Sequence, residues 1–183
     1  MTESQLIEAC KRNDSFAQRL LYEQYADKLF VVCLRYVSNK ADAEELLSDC
    51  FVKAFKHAPS FQFIGAGSLG AWLRKIAVNE CLMFLRKKKQ LIIPIDEHPV
   101  AAAWMHEASA LQHMNVAAIL QSIQKLPTGY RTVFNLFVFE ERSHKEIAEA
   151  LGISENTSKS QLFKARHMLK TLLDDPIQKS ILK

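Results

Sequence analysis

Glycine and proline are scarce in this sequence, at five each among 183 residues. So few turn formers leave little room for the tight hairpins of an all-β fold and favour helix. Cysteine is sparse too: Cys10, Cys33, Cys50 and Cys81 stand far apart and form no CxxC pair. That spacing argues against a disulfide framework and gives reduced, mostly buried thiols as the expectation. The six histidines do not cluster with them, so no metal site and no cofactor is expected. No apolar run approaches the ~20 residues that cross a bilayer, so no membrane insertion is expected. The opening MTESQLIEACKRND has no basic stretch followed by an apolar one and does not read as a secretory signal. These absences give a cytoplasmic protein as the expectation.

An excess of either charge is also lacking. Lys and Arg number 24 against 20 Asp and Glu, a net charge of +4. That total does not by itself demand a polyanionic partner. Its distribution is more informative. Residues 1–92 carry 14 basic and 10 acidic side chains, residues 93–112 three acids and no base, and residues 113–183 ten bases and seven acids. Two basic ends therefore flank an acidic middle. Hydrophobic residues make up 49% of the chain, enough for a buried core.

Nearly every segment carries the helical period. Residues 14–37 place Phe16, Leu20, Tyr25, Leu29, Cys33 and Tyr36 on one face, with Asp14 as N-cap. Asn39 caps a second helix whose stripe is Leu46, Leu47, Cys50, Ala54 and Phe55, ended by Pro59. After the loop SFQFIGAGS, a helix over 69–86 buries Leu69, Trp72 or Leu73, Ile76, Glu80 or Cys81, and Phe84. It finishes in Arg86, Lys87, Lys88 and Lys89, which also suit a helix C-terminus. Residues 91–112, with two prolines, read as a linker. A first C-terminal helix spans 113–125, and Pro127 suits the N1 position of the next. Ser143 and Glu146 have capping-box spacing, Gly152 fits a left-handed C-cap, and Ser154 caps a last helix stopped by Asp175-Pro176. The fold class is all-α: two small helical domains, roughly 1–90 and 113–176, joined by the linker 91–112 and followed by a tail, 177–183.

The strongest motif is SHKEIAEALGISENTSKSQLFKARHMLK, residues 143–170. Ile147, Ala148 and Leu151 line a short amphipathic helix, and a turn containing Gly152 leads to a helix with Leu162, Ala165 and Leu169 inside. Ala148 is small where two crossing helices approach closely. This pattern is a helix-turn-helix, which lays its second helix in a DNA major groove. Asn156, Thr157, Lys159, Ser160, Lys164 and Arg166 are the donors for phosphates and base edges. A plain helical hairpin with a solvated face would not need the small residue, the turn glycine and the basic face together.

Nothing points to catalysis. There is no phosphate-binding loop, nucleophile motif or metal-ligating His set. Asp42, Glu44, Glu45 and Asp49 form an acidic cluster at spacings suited to a helix surface.

The segment LPTGYRTVFNLFVFEERSHKEIAEALGISENTSKSQLFKAR resembles region 4 of bacterial RNA polymerase sigma factors. DAEELLSDCFVKAFKHAPSF, followed by GSLGAWLRKIAVNECLMFLRKKK, resembles region 2 of the same proteins. Both occur in order without a recognisable region 3, which is similar to the extracytoplasmic-function (ECF) group of the sigma-70 family. The resemblance covers nearly the whole chain apart from the linker and the last few residues. It implies an alternative sigma factor that binds core RNA polymerase, through the clamp helices of the largest subunit and the flap, and engages promoter DNA.

By the resemblance, the polymerase surface uses Asp42, Glu45, Leu46, Asp49, Phe51, Val52 and Phe55, with Leu46 and Phe55 equally consistent with core. The −10 element falls to Phe61, Phe63, Trp72, Arg74, Lys75, Asn79, Arg86 and Lys87, with Trp72 fitting the core better than a DNA wedge. The loop FIGAGS is smaller and more apolar than in many members. The −35 element falls to Lys159, Ser160, Phe163 and Lys164, and phosphates to Asn156, Thr157 and Arg166. Phe163 is open between a thymine contact and an anchor. Lysine at 159 and 164, where many members have arginine, lacks the bidentate fork for guanine. An anti-sigma partner is a further implication. The competing reading is an autonomous helix-turn-helix regulator, which would bind a palindromic duplex by itself.

Overall fold

A computed structural model describes residues 1–88 and 116–174. The expected linker 91–112, Lys89, the Asp175-Pro176 stop and the tail 177–183 lie outside the described residues. Every regular element among those described is helical. The chain divides into two compact units, one over Met1–Lys88 and one beyond it.

The first unit holds α1 (Glu3–Lys11), α2 (Ser15–Tyr36), α3 (Lys40–His57), a 3-10 turn (Ala58–Ser60) and α4 (Ser68–Lys87). Helices α2, α3 and α4 pack pairwise into a bundle, and α1 lies on α2 and beside the 3-10 turn. Local chemistry starts each helix. Thr2 and Gln5 close a capping box on α1. The Asp14 carboxylate accepts from the Phe16 and Ala17 amides, and the Asn39 side chain accepts from the Ala41 amide.

The bundle core is Leu21, Leu29, Tyr36, Leu46, Leu69, Leu73 and Leu85 with their smaller neighbours. Three of the four thiols meet inside it, where Cys33 hydrogen-bonds Cys50 and Cys81. Their bonds to Cys33, and then burial, push the Cys50 and Cys81 thiols up. All four cysteines are free and buried.

Two expected faces are shifted by about one residue. On α2 the buried side begins with Ala17 and Leu21, whereas Phe16 is 63% exposed and Leu20 only half-buried. Ala17 is fully buried, and α1 packs on α2. On α4 the interior takes Ala77, Val78 and Leu85, and Ile76 and Phe84 are half-buried. Packing against both α2 and α3 selects the smaller side chains there.

The second unit holds α5 (Val116–Gln124), α6 (Thr128–Val138), α7 (His144–Leu151) and α8 (Glu155–Asp174). Helix α8 packs on α5, α6 and α7. Pro127 is the N-cap of α6, one position before the expected N1, with an extended backbone that helix geometry does not reach. The buried Arg131 guanidinium donates to the Gln124 and Leu126 carbonyls at 2.8 and 3.3 Å. It thereby caps the end of α5 and fixes the α5–α6 turn. Ser143 and Glu146 form both halves of a capping box on α7. Gly152 ends α7 at φ +68, and Ser154 Oγ accepts from the Thr157 amide at 3.0 Å.

Candidate nucleic-acid interfaces

Helices α7 and α8 and the turn Gly152–Ser154 form a helix-turn-helix. Ile147, Ala148, Leu162, Ala165 and Leu169 are buried between its helices and α6. The outward stripe of α8 follows from helical spacing: Asn156, Lys159, Phe163 and Arg166 recur at three- and four-residue steps. Asn156, Lys159 and Arg166 are exposed, and Phe163 and Lys164 are half-buried. Phe163 lies parallel to the His167 ring, 6.5 Å between centroids. Arg166 lies over the Phe137 ring at 5.6 Å, a contact that orients the guanidinium without neutralising it.

Two expected DNA contacts are corrected, Thr157 for phosphates and Ser160 for −35 bases. Thr157 and Ser160 are 2% and 3% exposed. Thr157 Oγ1 pairs with Ser154 Oγ, and Ser160 Oγ donates to the Thr157 carbonyl. The first turns of α8 pack against the preceding helices, and small hydroxyl residues fit that space while satisfying their own polar groups. Neither side chain is presented to a groove.

His144 was not singled out by the sequence. Its Nδ1 is 2.9 Å from Ser158 Oγ, and its ring stacks on Phe137 at 4.7 Å, tying α7 to α6 and α8. Burial, then Lys159 and Arg166, holds the imidazole below its ordinary value, against a smaller opposing pull from Glu155.

On the first unit, α4 presents a second stripe: Trp72, Lys75, Asn79, Met83 and Arg86 fall on one helical face. Lys75, Asn79, Arg86 and Lys87 are exposed, Arg74 and Trp72 half-buried. Met83, 54% exposed, belongs to this stripe and was missed because an isolated apolar residue carries no charge signal. Phe61 corrects another expectation. It is 9% exposed and packs on Trp72 at 4.6 Å between centroids, so it supports the stripe from beneath. Phe63 is half-buried, and the exposed tip of the loop is Ile64, at 87%.

The acidic face of α3 is narrower than expected. Glu45, Asp49 and Val52 are exposed on one stripe, with Phe55 half-buried at its edge. Leu46 and Phe51 are 1% and 3% exposed and belong to the bundle core. Phe51 packs between the rings of Tyr22 and Phe55. Asp42 is half-buried and ion-paired to Lys88 at 2.8 Å, which ties the start of α3 to the end of α4. Lys53 and Glu80 make a second tie at 2.6 Å. Among the described residues no group of His, Cys, Asp or Glu is placed to hold a metal ion. No described helix is long and apolar enough to cross a membrane.

Comparison with known proteins places both stripes in matched regions. Residues 21–90 match the Sigma-70 region 2 model, and residues 117–169 match the Sigma-70, region 4 model. The chain is 29% identical over 180 residues to the ECF RNA polymerase sigma factor SigW of Bacillus subtilis, covering 92% of this chain and 95% of that protein. It is 30% identical over 155 residues to the RNA polymerase sigma factor SigZ of the same organism, covering 84% and 85%. Among solved structures, its fold is similar to that of the sigma factor RpoE of Bartonella quintana in complex with the anti-sigma factor NepR. That likeness has a TM-score of 0.50 at 24% identity and covers 87% of this chain and 97% of that one.

Proposed function

This chain belongs to the sigma-70 family as an alternative sigma factor of the ECF type that directs transcription, and on that premise we propose how its surfaces divide the work. The observation that carries the division is the presence of two separate donor stripes on two separate units. The α8 stripe, on a helix-turn-helix, suits duplex DNA: Lys159 and Lys164 face the −35 bases, Phe163 adds an apolar contact, and Asn156 and Arg166 hold phosphates. The α4 stripe suits an opened strand. Lys75, Asn79, Arg86 and Lys87 track its backbone, joined by Arg74, while Trp72, Phe63 and the exposed Ile64 offer apolar faces to unstacked −10 bases. On the same reading, residues 1–90 act as region 2, 91–112 as linker, 113–176 as region 4 and 177–183 as tail.

Core polymerase is engaged by Glu45, Asp49 and Val52, with Phe55 at the margin. Two exposed acids followed along the helix by an apolar end complement a basic partner and set its register. The proposal extends to an anti-sigma partner occupying these surfaces. Sigma factors are initiation factors without chemistry of their own, so the residues position and capture but transform nothing. An autonomous regulator would make no use of the α3 face.

The α3 assignment is tested by Val52→Asp in a core-binding titration. A charge set in the apolar end of the stripe weakens binding about tenfold or more. Wild-type affinity in a variant that keeps its thermal transition would contradict the assignment.

A further inference from the structure

Helix α1 lies outside the matched residues 21–90, yet it touches the loop that leads into α4. Both carboxylate oxygens of Glu3 are used. Oε1 accepts from the Tyr25 hydroxyl at 2.7 Å, and Oε2 accepts from the Gly67 amide at 2.8 Å. Gly67 is the N-cap of α4, sits at φ +83 and has no side chain to cap the helix itself. From 64 residues away, Glu3 instead takes the amide of Gly67 itself, the bond that the N3 side chain makes in a capping box. Its charge also faces the positive end of the α4 dipole.

Tyr25 closes the arrangement. A Cβ added at Gly70 would come within 3.2 Å of the Tyr25 ring, so the first turn of α4 lies directly against it. Burial and the Glu3 carboxylate push the Tyr25 hydroxyl up to about 12, which keeps it a donor to Glu3. The end of the loop is thereby held twice, by Glu3 and by a turn in which Ser68 donates from its amide and hydroxyl to the Gly65 carbonyl. Its beginning is held by Phe61 on Trp72. Between these anchors stands the exposed Ile64.

We propose that Glu3 is a positioning residue for the 62–67 loop: it fixes the loop against α4 in the geometry that captures unstacked −10 bases. The inference rests on the reading of the α4 stripe given above. Glu3 touches no DNA. It removes the entropic cost of ordering the loop when the strand arrives.

The test uses holoenzyme assembled from the full chain and bacterial core polymerase, on a promoter selected by run-off from a library. Three quantities are read: permanganate reactivity of −10 thymines, affinity for core, and amide exchange over residues 62–70. Glu3→Ala lowers opening about 5–10-fold, the loss expected when one solvent-exposed hydrogen bond of ordinary net strength goes. Core affinity stays within about twofold, and exchange over 62–70 rises. Glu3→Gln restores opening to within about twofold, because the amide oxygen still accepts from Gly67 and the amide nitrogen donates to the Tyr25 oxygen. Tyr25→Phe, which keeps the Gly67 bond, gives an intermediate loss.

Unchanged opening in Glu3→Ala overturns the proposal. So does a fall in core affinity equal to the fall in opening, which would make Glu3 a strut of the whole lobe. Absence of opening by wild-type holoenzyme at every promoter would remove the −10 reading and this proposal together. Wild-type opening with an unaffected variant would remove this proposal alone.

Discussion

At Lys164 and Ser160, four positions apart on α8, the same helix asks for different chemistry. Lys164 flanks the outward stripe, whereas Ser160 is buried and spends its hydroxyl on the Thr157 carbonyl. Lys164→Ala should weaken −35 duplex binding by holoenzyme by ~1–3 kcal/mol. Ser160→Ala should leave that binding unchanged and cost about 0.5–1.5 kcal/mol of stability. Anisotropy titration beside thermal unfolding separates the two, and a reversed pattern would contradict the orientation of α8. His144 adds a pH dependence. Its folded imidazole takes up a proton less readily than the unfolded one, which titrates near 6.5. The stability it contributes is full above about pH 6.5 and is lost as the pH falls through the lower folded value. Thermal melts of His144→Asn and wild type across that range should converge on acidification. Parallel pH slopes would rule this out. Sequence alone could not show either point, because Ser160 and Lys164 both read as donors and His144 gains its partners only when α7 folds against α8.

Helices are where the sequence spoke most clearly. Asp14, Asn39 and the Ser143–Glu146 box are local signals, each completed within four residues, and each starts a helix where it was read. The terminus at Gly152 is equally local. A Cβ there would meet nothing within 4 Å, so the cost of Gly152→Ala is the left-handed backbone alone. That cost is roughly 1–2 kcal/mol, measurable as a lower unfolding midpoint in denaturant. An unchanged midpoint would mean the turn tolerates another conformation. Which side of each helix turns inward was harder to read. Phe16–Ala17 and Leu20–Leu21 offer two adjacent apolar choices, and only packing against the neighbouring helices decides between them. Leu46 and Phe51 likewise look suited to a partner until α2 and its Tyr22 cover them. Glu3, by contrast, had no sequence signal, since its partner Gly67 lies far along the chain.

For the whole molecule, the modest net charge becomes intelligible through its distribution. Each unit carries its own donor stripe, and on the division proposed above neither stripe holds DNA firmly without the other. That division predicts that stable promoter binding depends on polymerase presenting both at once, since linked weak contacts gain from effective concentration. The order of the two matched regions was legible from motifs, whereas the narrowing of every stripe to a few residues needed tertiary burial. The measurement that tests this account most directly is run-off transcription by bacterial core polymerase over a promoter library, with and without the chain. The account predicts initiation at a restricted set of promoters only when the chain is present, with no comparably tight duplex binding by the chain alone. Initiation no greater than that of core by itself, with tight binding of the free chain to a palindromic duplex, would contradict it.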